Sequence, residues 1–324
     1  MAVLSRAVLP LSLALLASTS AFAQDAGAPE GPIEITVASS AGSTPDVLMR
    51  QMAEILNTQG IVENPIVIVN RPGGAWSIGM NYVLERAGDA NTLMAFAEPV
   101  ISTPIVQGAE PSFDDLTALG IFVQTQLVVL AQPDHEANTL AELVEIARAE
   151  PGAVLVSGAN SGSTDDQVRG LIEQAADVTL TYVPHDGGGA ATATFLGGNT
   201  DIITLTIDEA LPLIEAGTAK PLAILNEERR TEEGLADIPT ATEQGIEVVW
   251  GQYFGVMGTG DLDPATVAWW DDKIGQLVET PEWQALAEAN YYGTNYMDSA
   301  GMAAFLPEMN QSRVDILTAI GATP

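Results

Sequence analysis

A chain of 324 residues with 43 acidic side chains against 11 basic ones carries a net charge of −32. Such a surface repels nucleic acid and anionic lipid, which excludes both as partners. The chain has no cysteine, so disulfides, thiol catalysis and thiolate metal sites are excluded as well.

The acid is dispersed. Short runs such as Glu227-Glu228 and Asp271-Asp272 read as solvated faces, and an evenly anionic surface suits a saline habitat. Residues 1–23 have the order of a secretory signal: Arg6, an apolar run over 8–17, then Ala21-Phe22-Ala23 before Gln24. Cleavage is expected after Ala23, which places the mature chain in the periplasm. The apolar run falls short of the roughly 20 residues that a spanning helix needs. No later segment is long and apolar enough to insert in a bilayer, and there is no cysteine for a lipid anchor. The remainder, about 300 residues, suits two domains of roughly 150 each.

Strand and helix then alternate. Residues 33–37 read as a strand with a polar face, 47–56 as a helix, and 66–69 as a buried strand of β-branched residues. A helix follows over 139–149, with Leu140, Leu143, Val144 and Ala147 at helical spacing and Thr139 with Glu142 as a capping box. Strands are expected at 154–156, 179–183 and 201–205, and helices at 165–174 and 190–196. This rhythm predicts an α/β fold of mostly parallel sheets with helices on both faces. Two apolar runs, 119–131 and 248–257, break it and read as crossings between domains. Helices resume over 264–278, 281–290 and 300–320. One domain is therefore expected from 24–124 together with 250–324, and a second, inserted one from 125–249.

The same phrase opens a helix in each expected domain: Gly42-Ser43-Thr44-Pro45-Asp46 and Gly162-Ser163-Thr164-Asp165-Asp166. Glycine lets the backbone approach a ligand, serine or threonine caps the helix, and proline fits its first turn. The free N–H groups and the helix dipole then attract an anion. The dipole alone offers at most about 2 kcal/mol. Several hydrogen bonds to one carboxylate, at roughly 1.5–3 kcal/mol each, decide binding. A third strand-to-helix loop, Pro184-His185-Asp186-Gly187-Gly188-Gly189-Ala190, offers successive N–H groups as an anion nest. Each loop alone also reads as a helix cap or a flexible turn. Together, after the carboxyl ends of strands, they read as a site. Arg71, in Asn70-Arg71-Pro72-Gly73-Gly74, reads first as the partner of a neighbouring acid that fixes its loop, and otherwise as a carboxylate ligand.

An enzyme is not expected. The two histidines, His135 and His185, have no G-x-S-x-G or H-E-x-x-H context. There is no Walker loop, dinucleotide fingerprint or EF-hand spacing, so neither cofactor nor metal is expected.

The order of these loops resembles the Bug or TctC family, periplasmic receptors of tripartite tricarboxylate transporters. The similarity runs over nearly the whole mature chain: residues 37–50, Val69-Asn70-Arg71-Pro72-Gly73-Gly74-Ala75, residues 182–190, and Leu196-Gly197-Gly198-Asn199-Thr200-Asp201. Ala216-Gly217-Thr218-Ala219-Lys220-Pro221-Leu222-Ala223 and Ile238-Pro239-Thr240-Ala241-Thr242-Glu243-Gln244-Gly245 complete it. The resemblance implies a type II periplasmic-binding-protein-like architecture, with two α/β domains hinged on two crossing strands and closing around a small carboxylate. It carries ligand contacts onto Ser39, Ser40, Ala41, Gly42, Ser43, Thr44 and Asp46, onto Gly162, Ser163 and Thr164, and onto Pro184, His185, Asp186, Gly187, Gly188, Gly189 and Ala190. Of these, Asp46 is expected mainly to hold its helix and loop. The resemblance also implies a monomer that delivers its ligand to the membrane subunits of such a transporter. A receptor signalling to a sensor kinase would use the same pocket; a secreted hydrolase lacks a nucleophile–base pair here. Ser39 replaces the family's usual bulky aromatic, Ser43 a usual glycine, and Trp76 a usual small residue, so Trp76 reads either as core or as a wall for an apolar ligand tail.

Overall fold

A computed structural model of the chain describes residues 27–109, 111–185, 187–293 and 295–324. The expected signal segment and Asp186 lie outside the described residues.

Two parallel ladders form the flanks of the sheet. In one, β1 (Ile33–Val37) lies between β2 (Ile66–Asn70) and β3 (Thr92–Phe96). In the other, β5 (Leu155–Gly158) lies between β6 (Thr181–Pro184) and β7 (Ile202–Thr206). Two antiparallel strands join them. β4 (Thr117–Ala131) runs beside β9 (Gly251–Gly258), which reaches back to pair with β3. The end of β4 continues into the second half, where it pairs with β7 and with β8 (Lys220–Ile224). The apolar run expected to cross between domains is thus one long strand that serves both sheets. Its last residues alternate between two cores, as the two-residue period of a strand requires. Leu127, Val129 and Ala131 face one, and Val128 and Leu130 face the other.

Six helices follow the parallel strands and so begin at the carboxyl edge of the sheet: α1 (Thr44–Thr58), α2 (Ser77–Leu84), α3 (Pro99–Gln107), α5 (Thr164–Ala176), α6 (Gly188–Leu196) and α7 (Ile207–Glu215). Among the described residues four others begin elsewhere: α4 (Leu140–Ala149), α8 (Pro264–Val278), α9 (Pro281–Ala289) and α10 (Ser299–Ala319).

The first core gathers Ile35, Leu48, Leu93 and Phe96 with Trp270 and Trp283, whose ring meets Phe122 edge-on at 5.4 Å. The second gathers Leu140, Val156, Ile172 and Trp250. α10 spans the two. Met302, Leu306 and Met309 sit in the first core, whereas Ile316 packs on the second. Further along, Ile320 lies so close to Gly170 of α5 that a Cβ there would meet it at 1.9 Å. The end of the chain, expected with the first domain, therefore rests on the second half.

Local readings need three corrections. The 66–69 segment is a half-exposed edge strand, with Val67 49% exposed, because only β1 pairs with it. Thr139 caps α4 by accepting from Glu142 N, but the Glu142 carboxylate binds Asn138 N, so the reciprocal half of the box is shifted by one residue. Asp271 is not simply solvated: it accepts from both the backbone and the hydroxyl of Ser299.

Candidate functional site

The loops leaving β1 and β5 are built alike. Gly42 and Gly162 have φ of +84° and +79°, a left-handed backbone that glycine adopts without a Cβ clash. Each donates its N–H to a carboxylate four residues on: Gly42 to Asp46 Oδ2 at 2.8 Å, Gly162 to Asp166 Oδ2 at 2.9 Å. Arg50 and Asn70 brace Asp46, and Arg169 braces Asp166. Burial pushes the Asp46 pKa up, but the bonds from Arg50, Gly42 and Asn70 outweigh it and hold the carboxyl below its ordinary value. The two glycine N–H groups, expected to face an anion, therefore shape the loops instead. Asp46 is 3% exposed and fixes its loop, as expected for its main role.

The serines do the reverse. Ser43 and Ser163 are N-cap residues with extended backbone, yet neither hydroxyl caps its own helix. Ser43 Oγ lies 2.6 Å from Ser39 Oγ. Tyr182 Oη gives its one proton to the Ala159 carbonyl, so Ser163, 2.9 Å from that oxygen, donates to it. The first-turn N–H groups of α1 and α5 are thereby left for another acceptor. Ser40, Ala41 and Gly42 are exposed, and Ser43, Thr44, Ser163 and Thr164 are half-buried.

At the third loop the helix starts earlier than expected. Gly188, Gly189 and Ala190 form the first turn of α6 rather than a free nest, with Gly187 (φ +100°) as its N-cap. A Cβ on Gly187, Gly188 or Gly189 would meet nothing within 4 Å, so this helix start borders open space. Pro184 closes β6, and His185 donates from both its backbone N and its Nδ1 to Gly158 O, each at 3.0 Å. A carbonyl only accepts, so Nδ1 carries the imidazole proton. The β5–β6 pairing thus sets the second and third loops side by side.

Contacts from the first half meet them. Thr44 Oγ1 of α1 donates to Glu209 Oε1 of α7 at 3.0 Å. Gln167 Nε2 of α5 donates to Glu98 Oε1, at the start of α3, at 2.8 Å. A Cβ on Gly162 would come within 2.4 Å of Val106 of α3. Glu98 is 1% exposed and also faces Arg313 at 3.5 Å; the Arg313 guanidinium lies 3.9 Å over the Trp250 ring. Burial pushes the Glu98 pKa up and that of Arg313 down. Asp165 is pushed up to about 7 by burial, against its bond from Ala159 N, with the negative fields of Glu209, Glu98 and Asp166 adding to the rise. Glu209 is raised by burial and then by Asp208. No group of three His, Asp or Glu is arranged to hold a metal ion among the described residues.

The family model described as "Tripartite tricarboxylate transporter family receptor" (TctC) matches residues 48–322. The chain belongs to the TctC family. It is 27% identical to protein BugT of Bordetella pertussis over 81% of this chain and 79% of that one. Its fold is that of the periplasmic binding protein BugD, at a TM-score of 0.80 and 20% identity over 91% of this chain and 99% of that one. It is likewise that of MatC from Rhodopseudomonas palustris with bound malate, at 0.78 and 20% over 89% and 99%.

Within this TctC chain, Arg71 pairs with Glu34 at 3.2 Å and lies 3.4 Å over the Tyr82 ring, which fixes its loop. Trp76 is packed in the first core, 9% exposed, with a left-handed φ of +82°. Sequence reasoning missed Glu98, Gln167, Glu209 and Arg313, which contact one another or the loops only through tertiary packing. The one available signal was the pair Asp208-Glu209 directly after the apolar strand 201–205.

Proposed function

We propose that the chain is a periplasmic solute-binding protein that captures a small carboxylate between its halves and hands it to a tripartite tricarboxylate-type membrane transporter. It works as a monomer, without cofactor or chemistry of its own. The halves are the expected domains, 24–124 with 250–324 and 125–249. The reading rests on one observation above all: α1 and α5 open with Gly-Ser-Thr loops whose serines leave the first turn uncapped. Those N–H groups can satisfy a carboxylate with few basic side chains, which suits so acidic a chain. The malate in the related MatC structure supports the ligand class. For binding to signal to a transporter, the ligand must favour the closed arrangement over the open one. No helix among the described residues is long and apolar enough to cross a membrane. Calorimetric titration of the mature chain with a panel of mono-, di- and tricarboxylates tests the proposal. Saturable binding that weakens in Ser43→Ala and Ser163→Ala is expected. Absence of binding across the panel by a folded chain would refute it.

A further inference from the structure

We infer that Gln167 of α5 and Glu98 of α3 form a latch between the halves, a bond made only while α3 and α5 stand together. Closure is then set by the chain's own side chains as well as by the ligand, and the latch tunes affinity from outside the ligand contacts. This rests on the proposed division into two closing halves and is independent of what the ligand is.

Gln167 Nε2 reaches from the second half to donate to Glu98 Oε1 of the first at 2.8 Å. Each partner is braced from its own side. Ser102 Oγ donates to the other carboxylate oxygen, Glu98 Oε2, at 2.8 Å, and Gln167 Nε2 donates also to Gly162 O at 2.9 Å. Both side chains are thus aimed before they meet, which lowers the entropy lost when the bond forms. Gln167 is fully buried and Glu98 nearly so. A bond from an amide to a carboxylate is charge-assisted, and exclusion of water strengthens it. Arg313 of α10 faces the same carboxylate at 3.5 Å and offsets the cost of burying its charge.

The backbone fits the same seam. Val106, two turns along α3 from Glu98, lies where a Cβ on Gly162 would come within 2.4 Å of it. The loop before α5 can therefore lie flush against α3 because residue 162 is a glycine. Bond and close contact join the same two helices, and neither survives a separation of the halves. A second bond across the halves, from Thr44 Oγ1 to Glu209 Oε1 at 3.0 Å, is exposed to water and so weaker. A ligand that needs the closed arrangement binds in proportion to how much of the chain is closed. Loss of the latch thus lowers affinity while the ligand's own contacts stay intact.

The test measures the separation of the halves directly, in the mature chain with no ligand added. The chain has no cysteine, so Ile78→Cys on α2 and Ala193→Cys on α6, both exposed positions, take one nitroxide each. Electron–electron resonance then gives the populations of short and long separations. The short one is expected to dominate in the parent. Gln167→Met removes the donor but keeps an unbranched side chain, and it also removes an amide Oε1 that has no donor of its own, so the fold should survive, as circular dichroism would verify. It should lower the ratio of short to long about ten-fold. Ser102→Ala, which removes a bond to Glu98 from within α3, should change that ratio less than two-fold. A parent in which the long separation dominates, a mixture that Gln167→Met leaves unmoved, or an equal effect of Ser102→Ala overturns the latch but leaves the closing halves standing. One single separation in every variant overturns both.

Discussion

The helices of this receptor start in two different ways, depending on which edge of the sheet they leave. The four that begin away from the carboxyl edge are all capped by a side chain: Thr139 on α4, Asp263 on α8, Thr280 on α9 and Asp298 on α10. None of the six that follow the parallel strands has such a bond, whether the N-cap is Ser43, Trp76, Glu98, Ser163, Gly187 or Thr206. A missing cap costs about 1 kcal/mol per helix. The same residue types cap in one place and decline to in the other: Thr280 binds its own helix, while Ser163 turns to Tyr182. Side-chain caps are made at one edge and left unmade at the other.

The largest effect should come from the buried pair that ties the edge together. Arg313→Ala leaves Glu98 buried beside α3 without its cation and should cost about 3–5 kcal/mol in urea unfolding. Next, Gly188→Leu puts a side chain into open space at the start of α6. It should weaken ligand binding by about 100-fold, near 2.7 kcal/mol, while shifting the melting temperature little. An unchanged affinity would remove the third loop from the site.

Asp165 separates the edges by pH. Its folded pKa of about 7 lies above the ordinary 3.8, so the native state keeps a proton that the unfolded chain has lost. Its contribution is complete below about pH 4 and is lost as pH rises through about 7. In ligand-free protein, Asp165→Asn should match the parent near pH 4 and exceed it near pH 8 by about 2 kcal/mol, after discounting for partial solvent access. Glu98, Asp208 and Glu209 are raised by burial too, so the parent as a whole should lose stability in the same direction. The smallest effects sharpen the comparison most. Thr280→Ala should cost about 1 kcal/mol and leave affinity untouched. Ser163→Ala should lose binding with a smaller stability change, since no cap bond is removed. If the two variants behaved alike, the division of labour between the edges would fail.

Much of the fold was legible because its signals were local. β1, α1, α4 and α8 were readable from apolar period and helix-start residues. β3 was missed, although β7, equally buried along all five residues, was read as a strand. α3 and α7 were hidden by Pro104 and Pro212, each inside its helix, where tertiary packing overrides the usual reading of proline as a stop. The glycine-serine phrases marked the starts of α1 and α5, but the Gly42 and Gly162 N–H groups bind Asp46 and Asp166. Whether Gly42 N–H faces a ligand or Asp46 depends on a bond that sequence does not display. Glu98, Gln167 and Arg313 carry no shared motif; they meet because α3, α5 and α10 converge.

That convergence constrains how such a molecule can open. The strands β4 and β9, side by side, form a strap between the halves. α10 lies across the strap with its early turns in one core and its later turns on the other, so it acts as a splint. A helix resists bending except where its ladder is interrupted, and Pro307 interrupts it among the residues that grip the first core, ahead of Met309. The stretch from Met309 to Ile316 that links the two cores has no proline, so it is a continuous rod that stiffens the junction between the halves.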